Sequence, residues 1–206
     1  MGFFDPVMNQ LKVVRQLTPK NLNRLANMQL SDLVEREAVR AHARVDALRQ
    51  RFPTAGEREL SQRFVDTKKQ LAGMVGGISG VFGVATVPLD IIGMAYLQIS
   101  LLTEVGTVFK ADLKSEHGRQ ELLELFGYSN GIGAVKRAGP KLVGSLAGVL
   151  LRRGGLTALG RAMPLVAAPI SAYLNNQHIQ RIGEAAVRHY DGWVHAHQKQ
   201  KRASGE

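Results

Sequence analysis

Two carboxylates in apolar surroundings are the side chains whose chemistry most needs an explanation. Asp90 follows Pro88 at the junction of two uncharged apolar runs, and Glu104 is the next charge along the chain. A buried carboxylate must be paired, hydrogen-bonded or protonated, and one with a shifted pKa can act as a general acid or base. For Asp90 we favour a cap at the start of the second helix. Pairing with Arg119 or Asn176, and catalysis, stay open.

Polar side chains later in the chain are possible partners of these carboxylates. Arg119 opens a short helix, so an ion pair between Glu104 and Arg119 is sterically possible. Asn175 and Asn176 lie in an otherwise apolar helix, where an amide bridges two helices more often than it binds a ligand. Convergence of Asp90, Glu104 and Asn176 on one enclosed pocket would indicate an enzyme. Nothing in the sequence identifies a nucleophile, so we predict no catalytic residue.

The histidines near the end of the chain raise the question of a metal site. Among His189, Asp191, His195 and His197, only Asp191 and His195 are four residues apart, the spacing that places two ligands on one helix face. The chain has no cysteine, and no glycine-rich phosphate-binding loop follows a strand. We therefore predict neither a metal site nor a cofactor.

The positive charge is concentrated in one stretch. The formal net charge is +10, and no acidic residue lies between Glu124 and Glu184. The stretch has few of the aromatic residues that accompany basic residues on a nucleic-acid surface, so we expect no nucleic acid. Anionic lipid headgroups fit better, at about 1 kcal/mol for each Lys or Arg near the surface. The predicted partner is an anionic membrane surface or a lipid-like ligand, contacted by Lys136, Arg137, Lys141, Arg152, Arg153 and Arg161.

Helical spacing and helix caps recur along the chain, and no run alternates as a strand does, which predicts an all-α fold. Ser31 caps a predicted helix that extends to about Phe52. Thr54 and Glu57 form a capping-box pattern at the start of the next helix. The first of these helices has a narrow apolar stripe, made of Val34, Ala38, Ala41, Val45 and Leu48.

Further caps and breakers divide the rest of the chain. Ser115 is predicted to begin a short helix that ends at Gly127. Apolar helices are expected over about 131–152 and 156–190, and a frayed basic tail after Trp193.

The apolar run from Leu71 to Leu89 contains five glycines and no charge. It approaches the roughly 20 residues of a transmembrane helix, but the glycines and Asp90 weaken that interpretation. Glycines four residues apart let another helix approach closely. We predict a single helical bundle with a buried glycine-rich apolar hairpin. Alternatively, the smooth face lines a lipid groove or inserts at a membrane. The packing glycines are Gly73, Gly76, Gly77, Gly80, Gly83 and Gly93.

A series of marks follows in a fixed order from Leu71 to Tyr190. They are the glycine-rich helix, Pro88-Leu89-Asp90, a second apolar helix with Ile99, Leu102 and Glu104, Arg119 before Leu122 and Leu125, and Asn175, Asn176, Gly183, Ala186 and Tyr190. In this order they resemble the EcsC family, a bacterial family named for a protein encoded beside an ABC transporter. The resemblance implies membrane-linked physiology and no assigned reaction. The family commonly has an aromatic-glycine pair where this chain has 108–111, VFKA.

These observations give one organisation and a ranked set of functions. Residues 1–60 are a helical extension, 61–192 an EcsC-like helical core, and 193–206 a basic flexible tail. We expect a non-enzymatic protein that binds a membrane surface or a lipid-like ligand. The alternatives are a scaffold that docks a protein partner through the N-terminal helices and, less favoured, an enzyme. The lack of cysteine and of an export signal favours the cytoplasm, with peripheral association at the inner membrane.

Overall fold

The computed structural model describes the backbone of residues 30–82, 87–131 and 164–204, and the side chains of 32–74, 93–131 and 172–192. These residues form five α-helices and no strand, so the predicted all-α class is confirmed. The helices are α1 (Leu30–Arg51), α2 (Glu57–Phe82), α3 (Val87–Val108), α4 (Glu116–Ser129) and α5 (Pro164–Ser204). No helix within these ranges has the length and apolar character needed to cross a membrane.

Helix α3 is the centre of the bundle. It contacts each of the other four helices, and every residue from Tyr96 to Phe109 is buried. A helix that is apolar on all sides is stable only when other helices surround it. Two of its buried hydroxyls are satisfied within the helix, since Thr103 Oγ1 donates to the Ile99 carbonyl and Thr107 Oγ1 to that of Thr103. The second helix of the predicted hairpin is therefore the core of the fold.

Helix α1 packs on α3 through the stripe that its sequence predicts. Val34, Ala38, Ala41 and Val45 are all buried. Val34, Ala38 and Val45 belong to the same hydrophobic cluster as the core residues of α2, α3, α4 and α5. From Leu30 onward, the N-terminal segment is thus part of one bundle with the rest of the described chain.

The start of α2 differs from the predicted capping box. The helix begins at Glu57, and the amide of Leu60 donates to the carbonyl of Gly56 at 3.0 Å. Thr54 therefore lies in the turn before the helix and is not its cap.

The start of α4 agrees with its predicted cap, whereas its end does not. Ser115 Oγ accepts a hydrogen bond of 3.0 Å from the Gly118 amide. Gly127 is buried inside the helix, which continues to Ser129. The left-handed glycine that follows the helix is Gly131, with φ 68°. The predicted end at Gly127 is wrong because a glycine ends a helix only where the chain adopts this conformation.

The end of α3 is closed by a Schellman motif. The amide of Lys110 donates to the Thr107 carbonyl at 3.1 Å, and that of Ala111 donates to the Gly106 carbonyl at 2.9 Å. Lys110 occupies the left-handed position, which is usually a glycine, with φ 61°. Among the described residues it is the only non-glycine residue with positive φ.

Helix α5 is longer than its sequence predicts. It begins at Pro164, continues through Pro169 and has 41 residues. Proline suits the first turn of a helix because its missing N–H would have no partner there. Residues 193–204 are helical where the sequence predicts a flexible tail.

Helices α2 and α5 run antiparallel in close contact. Arg58 Nη2 lies 2.6 Å from Asp191 Oδ2, and seven residues further along α2, Val65 packs against Gly183. A Cβ atom at Gly183 would collide with the Val65 side chain, whose Cγ1 and Cβ atoms would also lie 3.1 and 3.3 Å away. The β-branched side chain of Val65 has few other rotamers to adopt. Gly183 therefore sets the distance between α2 and α5.

This contact makes a stability prediction. We expect Gly183→Ala to lower the free energy of unfolding by about 1–3 kcal/mol, because the added methyl group overpacks the helix interface. Gly192→Ala in the same helix is the control, since a Cβ there would meet no described atom within 4 Å. It should raise the stability by about 1 kcal/mol through helix propensity. Urea denaturation followed by circular dichroism measures both, and equal effects would contradict the close contact.

Candidate functional site

Glu104 is buried at the centre of the bundle between two cations. Its Oε1 atom lies 3.0 Å from Lys68 Nζ of α2 and 2.5 Å from Arg44 Nε of α1. Arg119 does not pair with it. Instead, Arg119 Nη1 donates to the carbonyl of Lys114. The position of Glu104 was predicted to matter, but its partners come from helices that its local sequence does not identify.

A second buried carboxylate, Glu37 of α1, extends this group. Glu37 Oε1 lies 2.7 Å from Arg40 Nη1, and its Oε2 lies 2.9 Å from Arg44 Nη2. The Tyr96 hydroxyl of α3 donates to Glu37 Oε1 at 3.1 Å. We call Glu37, Arg40, Arg44, Lys68 and Glu104 the charged cluster.

The charged cluster joins three helices through buried ion pairs, and breaking these pairs costs a large free energy. The Glu37 and Glu104 side chains and that of Lys68 are almost completely buried, and Arg44 bridges the two carboxylates. Removing one member of a buried ion pair leaves an uncompensated charge, which costs about 3–5 kcal/mol. The cluster therefore clamps α1 and α2 to α3.

The electrostatics of Glu37 follow from its two arginines. Burial raises the pKa of Glu37, but the attraction of Arg44 and the hydrogen bonds from Arg40 and Arg44 outweigh it, so its pKa lies below its ordinary value. Burial and the neighbouring Glu37 raise the pKa of Tyr96, which therefore stays a hydrogen-bond donor at neutral pH.

A second polar network lies around Gln98, six residues before Glu104 on α3. Asn130 Nδ2, at the end of α4, donates to Gln98 Oε1 of α3 at 2.7 Å. Asn130 Oδ1 lies 3.2 Å from His178 Nε2 of α5. The amide that bridges helices is thus Asn130. Asn175 and Asn176 are half-buried on α5, and Asn175 Nδ2 finds no hydrogen-bond partner among the described residues.

Several predicted site residues have no described side chain. Asp90 is the fourth residue of α3, inside its first turn, and is not the residue that precedes the helix. At Gly73 an added Cβ would meet no described atom within 4 Å, and Gly93 is buried. The predicted membrane contacts lie outside the described residues; they are Lys136, Arg137, Lys141, Arg152, Arg153 and Arg161. The surroundings of the other hairpin glycines also lie outside the described side chains; these glycines are Gly76, Gly77, Gly80 and Gly83.

At the histidine-rich end of α5, the described side chains contact residues of neighbouring helices. His189 Nε2 lies 2.6 Å from Glu121 Oε1, and Asp191 pairs with Arg58. Within the described ranges, no three side chains of metal-ligating type come together.

Exposed large apolar side chains form a ring around one level of the bundle. Contacts between neighbouring helices place these side chains near the height of Gln98 along the bundle axis. Met74 and Leu174 each lie nine residues beyond the contact of Val65 with Gly183, in the antiparallel α2 and α5. The ring comprises every large hydrophobic side chain that is exposed in the described part, namely Val39 (70%), Met74 (52%), Tyr128 (63%), Tyr173 (63%) and Leu174 (45%). We call it the apolar ring.

Other contacts place the remaining members of the apolar ring at the same level. Glu37 contacts Tyr96, two residues before Gln98, and Val39 is two residues further along α1. Tyr128 precedes Asn130, which bonds Gln98 directly. Tyr173 lies five residues, or about 7.5 Å, beyond His178, the α5 partner of Asn130.

Comparison with protein-family models, curated proteins and solved structures finds no match to this chain. The resemblance to the EcsC family stays a prediction.

The charged cluster makes a stability prediction. Lys68→Met should lower the free energy of unfolding by about 3 kcal/mol, because Glu104 stays buried with Arg44 as its only cation. The double variant Lys68→Met/Glu104→Met should be more stable than Lys68→Met, since the uncompensated carboxylate is gone. Lys69→Met is the adjacent control, because its 3.8 Å pair with Asp66 is weak, and it should change stability by less than about 0.5 kcal/mol. Equal losses for the two single variants in urea denaturation would refute the clamp.

The lowered pKa of Glu37 predicts a loss of stability in acid. A carboxyl whose pKa is lower in the folded state stabilises the fold above the pKa of the unfolded chain, and this contribution disappears as the pH falls through the folded value. The wild type should therefore lose stability more steeply than Glu37→Gln as the pH falls from about 5 to 2. Glu35→Gln, on the exposed face of α1, should retain the wild-type slope. Urea midpoints across this range test the difference, and parallel curves for wild type and Glu37→Gln would contradict the ion pairing.

Proposed function

We propose that this protein binds an anionic membrane surface through the end of the bundle that the apolar ring encircles, and that it acts as a lipid-binding helical protein with no catalytic role. The observation that carries the proposal is the position of the apolar ring. Exposed large hydrophobic side chains are scattered on most protein surfaces, but here all of those in the described residues share one level.

The composition of the apolar ring suits the interface between water and lipid. The side chains of Tyr128 and Tyr173 each have an apolar aromatic body and a polar hydroxyl tip, the property that concentrates tyrosine at the level of lipid headgroups. Met74 and Leu174 add apolar surface beside Tyr173. Together these side chains give an interfacial belt on α2, α4 and α5.

The chain beyond the apolar ring has the right chemistry for the same surface. The end of α2, the start of α3, the end of α4 and the start of α5 all lie on this side of the ring. The apolar run continues from Met74 to Leu89. The acid-free basic stretch includes the segment between α4 and α5. If all six basic residues named above reached headgroups, they would contribute about 6 kcal/mol at low salt.

The dimensions limit how deeply this end can enter a bilayer. Helix α2 continues for eight residues beyond Met74, which is about 12 Å, whereas the hydrocarbon core is about 30 Å thick. A carboxylate costs about 2.5–3.5 kcal/mol at the centre of a bilayer, so Asp90 in the first turn of α3 also opposes deep insertion. The proposed mode is therefore contact with one leaflet.

The structure also bears on the alternative of protein docking through the N-terminal helices. The apolar stripe of α1 is buried against α3 and cannot serve as a docking face while the bundle is intact. Lipid binding needs no such rearrangement, because the side chains of the apolar ring are already exposed.

Liposome flotation tests the proposal. The protein should float with vesicles of phosphatidylcholine and phosphatidylglycerol, and less with phosphatidylcholine alone or at raised salt. Tyr173→Glu/Leu174→Glu should weaken partitioning about tenfold or more, because two interfacial anchors become charged. Arg152→Gln/Arg153→Gln should weaken it about 30-fold at low salt, since two cations are lost.

A control variant separates the apolar ring from general effects of charge. Ala47→Glu also places a carboxylate on an exposed helix surface, eight residues beyond Val39 along α1. It should bind vesicles nearly as the wild type does. Failure of the wild type to float with either vesicle at low and moderate salt would sink the membrane proposal.

A further inference from the structure

A cleft of about 340 Å³ lies at the other end of α3, between the C-terminal half of α1 and the chain that follows α3. Lys110 in this cleft is twelve residues from Gln98, or about 18 Å along the bundle from the level of the apolar ring. The cations that line the cleft are Arg49, Lys110 and Lys114, with His42 beside them. The cleft therefore faces away from the proposed membrane surface.

The donors of these side chains are available to a ligand. Arg49 Nη2 donates to the Val108 carbonyl at 2.9 Å, and this bond anchors the guanidinium. The other N–H groups of the guanidinium can donate to a ligand. The Lys110 and Lys114 side chains are exposed, and neither forms an ion pair within the described ranges. His42 Nδ1 lies 2.7 Å from the Ala38 carbonyl, a contact that requires a proton on Nδ1.

Two carboxylates also line the cleft, and one of them is already engaged. Asp112 Oδ1 accepts hydrogen bonds of 3.3 Å from the amides of both Lys114 and Ser115, so this carboxylate closes the turn before α4. Asp46 is the other. Against the three cations, the lining is left with a net positive charge.

The residue type at position 110 is a second and independent observation. The Schellman motif at the end of α3 requires the left-handed conformation there, and glycine adopts it at no steric cost. A lysine in this conformation is strained, because its Cβ crowds the backbone. Strained residues persist only where the surrounding structure fixes them, and they cluster at active sites and ligand-binding sites. Here the strained side chain is a cation at the mouth of a cationic cleft.

From these two observations we propose that the cleft binds a phosphate group. The Arg49 guanidinium supplies a planar pair of donors on a side chain that is fixed by Val108, and the Lys110 and Lys114 ammonium groups supply point charges. The phosphate group belongs either to a small phosphorylated molecule in solution or to a lipid headgroup, and both share this chemistry.

Thermal denaturation in inorganic phosphate, compared with sodium chloride at equal ionic strength, tests the site without any vesicle. Phosphate should raise the melting temperature of the wild type above its value in chloride. Lys110→Gly should raise the melting temperature in chloride by about 2–4 °C, because it removes the strain, and should bind phosphate about tenfold more weakly. A variant that gains stability while losing the ligand cannot be explained by misfolding.

Further variants isolate the charge. Lys110→Arg should keep the response to phosphate, whereas Lys110→Asn, which tolerates the left-handed conformation, should lose it. Arg36→Gln, exposed on α1 outside the cleft, should respond as the wild type does. Equal melting temperatures in phosphate and chloride, or a full phosphate response in Lys110→Gly, would overturn the proposal.

The two sources of the phosphate group are separated by flotation with vesicles that contain phosphatidic acid. If Lys110→Gly floats as the wild type does, the cleft serves a molecule in solution. If Lys110→Gly alone loses flotation while Tyr173→Glu/Leu174→Glu retains it, the cleft binds the lipid headgroup. That second result would keep the phosphate site and refute the proposed membrane contact through the apolar ring.

Discussion

The fold depends on two carboxylates being held inside a helical core. Glu104 lies on the central helix, and its charge is compatible with burial only while Lys68 and Arg44 are both in place. These cations come from α2 and α1, so neither helix can leave α3 without exposing or stranding a charge. Glu37 ties Arg44 and Tyr96 into the same arrangement. The docking of α1 is consequently part of the integrity of the core, although its sequence looks like a separable extension.

The local features of the fold could be predicted from the sequence, because they depend on neighbours along the chain. The stripe of α1, the apolar α3 and the Ser115 cap all follow from periodicity or from a single turn. The charged cluster could not be assembled in this way, since its pairs depend on how helices cross. A trace of it was nevertheless present. Glu37 stands three residues after Val34, and Lys68 three residues after Val65, where the spacing calls for apolar side chains. The end of α4 was misplaced because Gly127 and Gly131 look equivalent until the backbone conformation is known.

The two ends of the bundle have different chemistry, and α3 connects them. The Gln98–Asn130–His178 network and the apolar ring lie near the middle of this helix, at about the same level as Glu37. Glu104 with Lys68 lies closer to its end, and the cationic cleft lies at that end. The net charge alone says little about the partner, because the basic residues of the cleft and those of the acid-free stretch come from different segments of the sequence.

The length of α5 has a mechanical consequence. Its 41 residues form one continuous helix of about 60 Å, which passes the apolar ring at Tyr173 and extends beyond Asp191, where α2 begins alongside it. Between these points Gly183 of α5 packs closely against Val65 of α2. A tilt of α5 would pivot at this contact. A rotation of about 10° there would carry the two ends of the helix in opposite directions by several ångströms each, for a total of about 10 Å. A ligand that tilted one end of this helix would displace its other end in the opposite direction.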